Sequence, residues 1–260
     1  MKHFDYIVMG GLGLVGSSFV EKLGDRGFDV LSLTSQNFND YKSKGISTKV
    51  FINANGNNFR FKANDDPLWD FDKSVYSLLD SLKSFQSEKY IFFSSIDVYS
   101  DKSNPLNNRE DAFLDISNLD FYGSNKVFAE MLLQKYHPKW LIFRLGSVVS
   151  PMAKKGPFYD LNQNKLFIDF DSTLSIVDIE NIHRAFFAVE KKEKFKEIFN
   201  LTGSGNVQVR DLIKKYKIDI DLSNYSGSNE LHSYEISNNK LAELVRIESA
   251  SKISKRYFNR

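Results

Sequence analysis

Along most of the 260 residues, short apolar runs of strand length alternate with longer amphipathic stretches. This alternation limits the possible folds more than any other property of the chain. The runs "FDYIVMG" from Phe4, "FDVLSLT" from Phe28, "KVFINANG" from Lys49, "KYIFFSS" from Lys89, "KWLIFRLGSV" from Lys139 and "EIFNLTG" from Glu197 read as buried strands. Helical patterns lie between them, from Leu14 to about Leu23, from Pro67 to about Leu82, from about Leu119 to Tyr136 and from about Asp178 to Val189. Strand, helix, strand in repetition predicts an α/β fold, a doubly wound parallel sheet with right-handed crossovers. Two loop-rich stretches, 151–175 and 203–260, break the rhythm. They are expected to form a smaller lobe over the carboxyl edge of a main domain made of 1–150 and 176–202.

Composition removes several classes of function. A net charge of +2 gives no global electrostatic reason to bind nucleic acid or an anionic membrane. Cysteine is absent, which excludes disulfides and thiolate chemistry. The four histidines, His3, His137, His183 and His232, do not have the spacing of metal ligands. No apolar run reaches about 18 residues, and no charged-then-apolar leader opens the chain. A soluble, cytoplasmic protein is expected, with no metal, no nucleic-acid partner and no membrane.

Between the first strand and the first helix stands "GGLGLVG", with Gly10, Gly13 and Gly16 spaced three and three. In that context the first glycine permits a tight turn, the second lets the backbone approach a pyrophosphate, and the third lets helix pack on strand. The helix N-terminus then offers N–H groups and partial positive charge to phosphates. A glycine-rich turn without a ligand has the same letters, so chemistry has to come from elsewhere in the chain.

"FYGSNKVFAE" supplies it. Tyr122 and Lys126 stand at i and i+4 on an expected helix, on one face. A phenol titrates near pH 10 on its own and becomes an acid/base at neutral pH only when positive charge stabilises its anion. Ser95 closes the strand "KYIFFSS", and ligands of open α/β sheets bind outside the carboxyl ends of strands. Gly10, Asn53, Ser95 and Arg144 all fall at or near such ends.

Taken together, "GGLGLVG", "FFSSIDVYS", "YGSNK", "FRLGSVVSP", "SIVDIENIHRAFFAVE" and "FNLTGSGNVQVRDLI" resemble the extended short-chain dehydrogenases/reductases of the NAD-dependent epimerase/dehydratase group, over about residues 4–215. The resemblance implies a Rossmann-like fold with a small interleaved substrate-binding lobe and a nucleotide-activated sugar as substrate. It implies that Tyr122 exchanges a proton with a sugar oxygen, that Ser95 hydrogen-bonds the same oxygen, and that Lys126 holds the nicotinamide ribose and lowers the Tyr122 pKa. A hydride would pass between the sugar carbon and the nicotinamide. Gly10, Gly13, Leu14, Gly16, Thr34, Ser35, Asn53, Ala54 and Asn55 would join Lys126 in holding the cofactor, Arg60, Asp97 and Ser147 would face the substrate, and a homodimer is expected.

The chain departs from the family pattern in places. Thr34, Ser35 and Gln36 occupy the region where a site that prefers NAD carries a carboxylate for the ribose 2′-hydroxyl. That absence favours NADP over NAD. Ser147 stands for the family's Asn, Val149 and Ser150 for its Tyr-Gly, and Ser74 for an Asn before Val. The dehydratase acid pair reads Ile96-Asp97, which argues against 4,6-dehydration. Reduction of a keto sugar is therefore the leading expectation, with epimerisation on a retained NAD second. A non-catalytic, cofactor-binding regulatory or structural member of the fold is the third alternative, and the presence of both Tyr122 and Lys126 weighs against it.

Overall fold

The computed structural model describes residues 2–57, 60–225 and 229–259. In chain order the first part reads β1 (His3–Met9), α1 (Leu14–Gly24), β2 (Val30–Leu33), α2 (Phe38–Lys42), β3 (Ser47–Asn53), α3 (Arg60–Asp65), α4 (Pro67–Phe71), α5 (Ser77–Ser84), β4 (Gln86–Ser95), α6 (Phe121–Tyr136) and β5 (Trp140–Leu145). The remainder reads β6 (Ser147–Val149), α7 (Pro157–Asn162), β7 (Thr173–Leu174), β8 (Ile176–Asp178), α8 (Ile179–Lys191), β9 (Glu197–Leu201), β10 (Val207–Gln208), α9 (Val209–Tyr216), α10 (Asn239–Ala242) and α11 (Ala250–Phe258).

The main sheet has the order β2-β1-β3-β4-β5-β9. β1 pairs in parallel with both β2 and β3, and β3 with β4. The chain steps out from β1 to β2 and then returns past β1 to β3. The winding therefore reverses between β1 and β3, and the crevice outside their carboxyl ends is where such sheets bind ligands.

Burial explains why these runs form a parallel sheet. The last six residues of β4, Tyr90 to Ser95, are all buried, as expected of a strand covered on both faces. Side chains alternate across the sheet. Phe92 packs with Leu78, Leu133 and Ile142 on the face covered by α5 and α6. Phe93 faces the other way, its ring 5.3 Å from Phe19 of α1 and 5.8 Å from Phe143. Each such ring removed from water contributes about 2–3 kcal/mol.

The chain divides into two compact units. The first holds 1–100, 113–144 and 193–198, and with it the glycine turn, Ser95, Tyr122 and Lys126. The second holds 101–112, 145–192 and 199–260, more of the chain than 151–175 and 203–260 alone. In it β6 pairs in parallel with β8 and β7 antiparallel with β10. Val149, Phe158, Leu161, Leu174, Leu212 and Ile253 share its apolar core. Asn108, fully buried, anchors its first segment: Nδ2 donates to the Glu235 carbonyl at 2.8 Å and Oδ1 accepts from Ser237 N at 2.9 Å.

Caps decide where the helices begin. Asp120 accepts from Gly123 N at 2.8 Å, so α6 starts at Phe121, two residues after the expected Leu119; residues Ile116–Asn118 form a separate 3-10 turn. Asp178 accepts from Asn181 N at 3.0 Å and is the cap of α8 rather than its first residue. The helix expected from Pro67 to about Leu82 is not uniform. A π-helical turn, Asp72–Tyr76, joins α4 to α5. α2 and α3, five and six residues long, are too short to leave a periodic signal.

A buried ion pair ties α6 to β5. Arg144 donates to Glu130 from Nη2 at 2.7 Å and from Nε at 3.1 Å, and its Nη1 donates to the Tyr99 hydroxyl at 2.7 Å. Removing one charge of such a pair strands the other. Glu130→Gln is accordingly expected to lower stability by about 3 kcal/mol in urea unfolding. A loss below about 0.5 kcal/mol would mean that the guanidinium is stabilised without the carboxylate.

Candidate active site

The turn between β1 and α1 needs glycine for different reasons at different positions. Gly10 has φ +81, and a Cβ there would lie 2.7 Å from the Ala54 carbonyl oxygen at the end of β3. A Cβ on Gly16 would lie 2.1 Å from the Gly10 oxygen. These two close the strand and helix upon each other whether or not a ligand is present. Gly13 is different. Its φ is −77, and the one neighbour a Cβ would meet is the Gly10 oxygen at 3.2 Å. Gly13 is also the N-cap of α1, which has neither a side-chain cap nor an acidic residue in its first turn. Uncapped N–H groups beside an open glycine suit a pyrophosphate, so the turn fits the dinucleotide expected from the sequence. Leu14 is the first residue of the same helix. Gly11, which the sequence reading passed over, is crowded by the Ser32 side chain, whose Oγ would lie 2.1 Å from a Cβ there.

Beyond β2, Thr34 N donates to Asn37 Oδ1 at 2.8 Å, and Thr34 Oγ1 accepts from Gln36 N at 3.3 Å. Ser35 and Gln36 are exposed. At the end of β3 the Asn53 side chain is buried and spent within the protein. Its Nδ2 donates to Tyr90 Oη at 2.9 Å and its Oδ1 accepts from Asn55 N at 2.9 Å. Asn53 thus shapes the Ala54-Asn55 backbone, and Asn55 Nδ2 in turn donates to the Lys73 carbonyl at 3.2 Å.

Ser95 and Tyr122 meet where β4 ends against the first turn of α6. Ser95 Oγ donates to Asp97 Oδ2 at 3.1 Å and accepts from Asp97 N at 3.1 Å. Burial and the Asp97 charge push the Tyr122 phenol above its ordinary range, while a hydrogen bond with Ser95 pulls it down. The approach of the two elements depends on Gly123, because a Cβ there would lie 2.4 Å from the Asp97 carbonyl oxygen. The glycine in "YGSNK" therefore sets the seating of Tyr122.

Lys126 follows one turn later, 4% exposed. Its Nζ lies 5.7 Å from the Tyr122 ring centre and 5.3 Å from that of Phe92. Burial lowers its pKa to about 8, against the charges of Asp70, Glu130 and Asp97, which favour the ammonium. Space for Nζ comes from Gly56, where a Cβ would stand 3.0 Å away. Nothing in the sequence pattern pointed to Gly56 or to Asp70. Asn125, beside Lys126, donates from Nδ2 to Asp70 Oδ2 at 2.7 Å.

The remaining expected site residues are placed as follows. Arg60 opens α3 and its Nε pairs at 2.5 Å with Asp120, the residue that caps α6. Ser147 opens β6 in the second unit, and its N donates to the Ser175 carbonyl at 2.9 Å. Arg144 does not aim its side chain at the sheet edge, because Glu130 and Tyr99 hold it inside. No group of metal-ligating side chains occurs among the described residues.

Comparison with known proteins bears on the family and the fold. The model of the NAD dependent epimerase/dehydratase family matches residues 6–161. UDP-glucuronic acid 4-epimerase from Bacillus cereus, solved with UDP-glucuronic acid and NAD, has a TM-score of 0.74 at 18% identity, covering 100% of this chain and 97% of that one. dTDP-4-dehydrorhamnose reductase from Bacillus anthracis, solved with NADP, has a TM-score of 0.77 at 12% identity, covering 100% and 99%. The corresponding reductase from Clostridium acetobutylicum has a TM-score of 0.76 at 15% identity, covering 100% and 99%. At such identities these likenesses show the fold. No curated protein sequence matches the chain. The family match, in contrast, runs over more than half of the chain and takes in the glycine turn, Ser95, Tyr122 and Lys126 alike, and the chain belongs to the NAD-dependent epimerase/dehydratase family.

Proposed function

We propose that the chain is an NAD(P)-dependent oxidoreductase that reduces the keto group of a nucleotide-activated sugar. The observation that carries this reading is the approach of Ser95, at the end of β4, to the Tyr122 phenol, with the buried Lys126 ammonium one helical turn away. A bound nicotinamide cofactor would supply or accept the hydride. The chain manages the proton. Tyr122, kept protonated by burial and by Asp97, gives its proton to the sugar oxygen as that oxygen gains charge. Ser95 turns its hydroxyl from Asp97 to the same oxygen and donates a hydrogen bond. The Lys126 charge stabilises the phenolate left on Tyr122, which regains its proton from solvent.

Gly13 and the uncapped start of α1 would hold the pyrophosphate, and Lys126 the nicotinamide ribose. The substrate's sugar would lie against Asp97 and Arg60. Cytoplasmic placement and a homodimer belong to the same proposal; the exposed Leu68, Phe71, Tyr76, Phe128 and Met131 supply apolar surface for a second copy. No helix among the described residues is long and apolar enough to cross a membrane.

Consumption of NADPH with a nucleotide-linked 4-keto sugar tests the reductase. Interconversion of UDP-glucuronic acid with its 4-epimer, on a cofactor that co-purifies and is not consumed, would replace it with the epimerase reading. Failure of both reactions, with no cofactor bound, would leave only a structural role for the fold.

Cofactor choice follows from the turn after β2. Thr34, Ser35 and Gln36 can donate hydrogen bonds, and none carries the negative charge that repels a 2′-phosphate. No arginine stands among them, so the gain is small. NADPH is expected to bind about tenfold more tightly than NADH, or about 1.4 kcal/mol, and Thr34→Asp to reverse the order. Fluorescence titration of both cofactors against both proteins decides it, and preference of the unmodified protein for NADH would overturn the assignment.

A further inference from the structure

Asp70 is fully buried, yet its hydrogen-bond partners among the described residues are all neutral. Its Oδ2 accepts from Asn125 Nδ2 at 2.7 Å and its Oδ1 from Ser74 Oγ at 3.3 Å. Lys126 is the complementary case, a buried ammonium with no carboxylate at ion-pair distance among the described residues. Burying a charge without an opposite one is costly. The two groups belong to one pocket. Asn125, which holds Asp70, is the chain neighbour of Lys126. Ser74 Oγ and Lys126 Nζ stand 3.7 and 3.0 Å from the same point, the place a Cβ on Gly56 would occupy. The π-helical turn carries Ser74, four residues after Asp70.

Other charged groups face Lys126, but each is committed. Glu130, on the same helix, is spent on Arg144. Asp97, from the turn after β4, takes the Ser95 hydroxyl. Tyr122 on α6 and Phe92 on β4 present rings, and the loop after β3 presents the Gly56 backbone. Of the charges that favour its ammonium, Asp70 has the largest effect.

We propose that Asp70 is a positioning residue for proton transfer: its carboxylate, fixed by Asn125 and Ser74, is the counter-charge that keeps Lys126 protonated beside Tyr122. This rests on the reading of Lys126 and Tyr122 as the proton-transfer site. Ser74, at the position where the family pattern has Asn, acquires a role in it, since its hydroxyl fixes one oxygen of Asp70.

The test is the titration of Lys126 itself, followed by NMR of the full chain with labelled lysine side chains. The signal is assigned by its loss in Lys126→Met. In Asp70→Asn the new amide fits the same space, accepting from Asn125 and donating to Ser74 Oγ. The Lys126 midpoint is expected to fall from about 8 by about one unit, a tenfold loss of proton affinity. A merely structural role has the opposite sign, because loosened packing admits water and raises the midpoint toward the ordinary lysine value of about 10.4. A rise, or no change in a folded Asp70→Asn protein, overturns the proposal. If circular dichroism shows that variant unfolded, Asp70→Ser, smaller and also neutral, takes its place with the same expected fall. Ser74→Ala keeps the charge and the Asn125 contact, and is expected to move the midpoint by less than about 0.3 unit. A shift as large as that of Asp70→Asn would assign the effect to the Ser74 hydrogen bond and overturn the role of the charge. NADPH titration of the same proteins separates the two readings: absence of NADPH binding to the unmodified protein would count against the cofactor assignment, while the lysine titration still decides the case for Asp70.

Discussion

Tyr122→Phe is expected to fold like the unmodified protein and to lose about 10²-fold or more of its turnover. The fold survives because the change removes one hydroxyl. Phenylalanine keeps the ring, and Ser95 keeps both contacts with Asp97. Turnover falls because no other acid stands ready. Asp97 is two residues from Ser95 but already carries the Ser95 hydroxyl, and Lys126 sits behind the Tyr122 ring at 5.7 Å. Cofactor titration is expected to be unchanged, since Lys126 and the glycine turn remain. The pH dependence gives a second readout. As pH rises through about 8, Lys126 loses its charge, the phenolate of Tyr122 loses its stabilisation, and reductive turnover should decline over that range. Turnover of purified Tyr122→Phe near that of the unmodified protein would remove the phenol from the mechanism.

The proposed catalytic set could be read from the sequence because its signals are local. Tyr122 and Lys126 show themselves by helical spacing, and Ser95 by closing an apolar run. The glycine turn is equally local. What escaped depends on contacts between segments distant in the chain. Asp70 lies 55 residues before Asn125, and no spacing rule joins them. Gly123 reads as an ordinary helix residue until the Asp97 carbonyl is seen 2.4 Å from its absent Cβ. Arg144 shows the limit of reading strand ends. It stands next to the last residue of β5, and only the facing α6, with Glu130 pointing inward, decides that its guanidinium turns into the protein. Asn53 is similar. It closes β3 as expected, but Tyr90 and Asn55 use its side chain, so its effect on the site passes through the backbone that follows. The π-helical turn at Asp72–Tyr76 was hidden because one inserted residue barely disturbs a helical pattern, although it sets which way Ser74 faces.

The glycine turn offers the sharpest separation between folding and binding. Gly13→Val is expected to leave the chain folded and to weaken NADPH binding by about 10²-fold or more. At φ −77 and ψ 165 the position is extended, a conformation that β-branched residues adopt readily. A Cβ would meet one atom, the Gly10 oxygen at 3.2 Å, so the cost to stability should stay within about 1 kcal/mol. The isopropyl group, however, would fill the space through which a pyrophosphate reaches the first N–H groups of α1. Gly16→Ala is the internal contrast. Its smaller side chain would have to fit 2.1 Å from the Gly10 oxygen, which forces β1 and α1 apart and costs about 1–3 kcal/mol, as overpacking does. Thermal unfolding and NADPH titration of both variants therefore give different patterns, with binding alone lost in Gly13→Val and stability lost as well in Gly16→Ala. A folded Gly13→Val protein that binds NADPH as tightly as the unmodified chain would show that all three glycines serve only to close the turn.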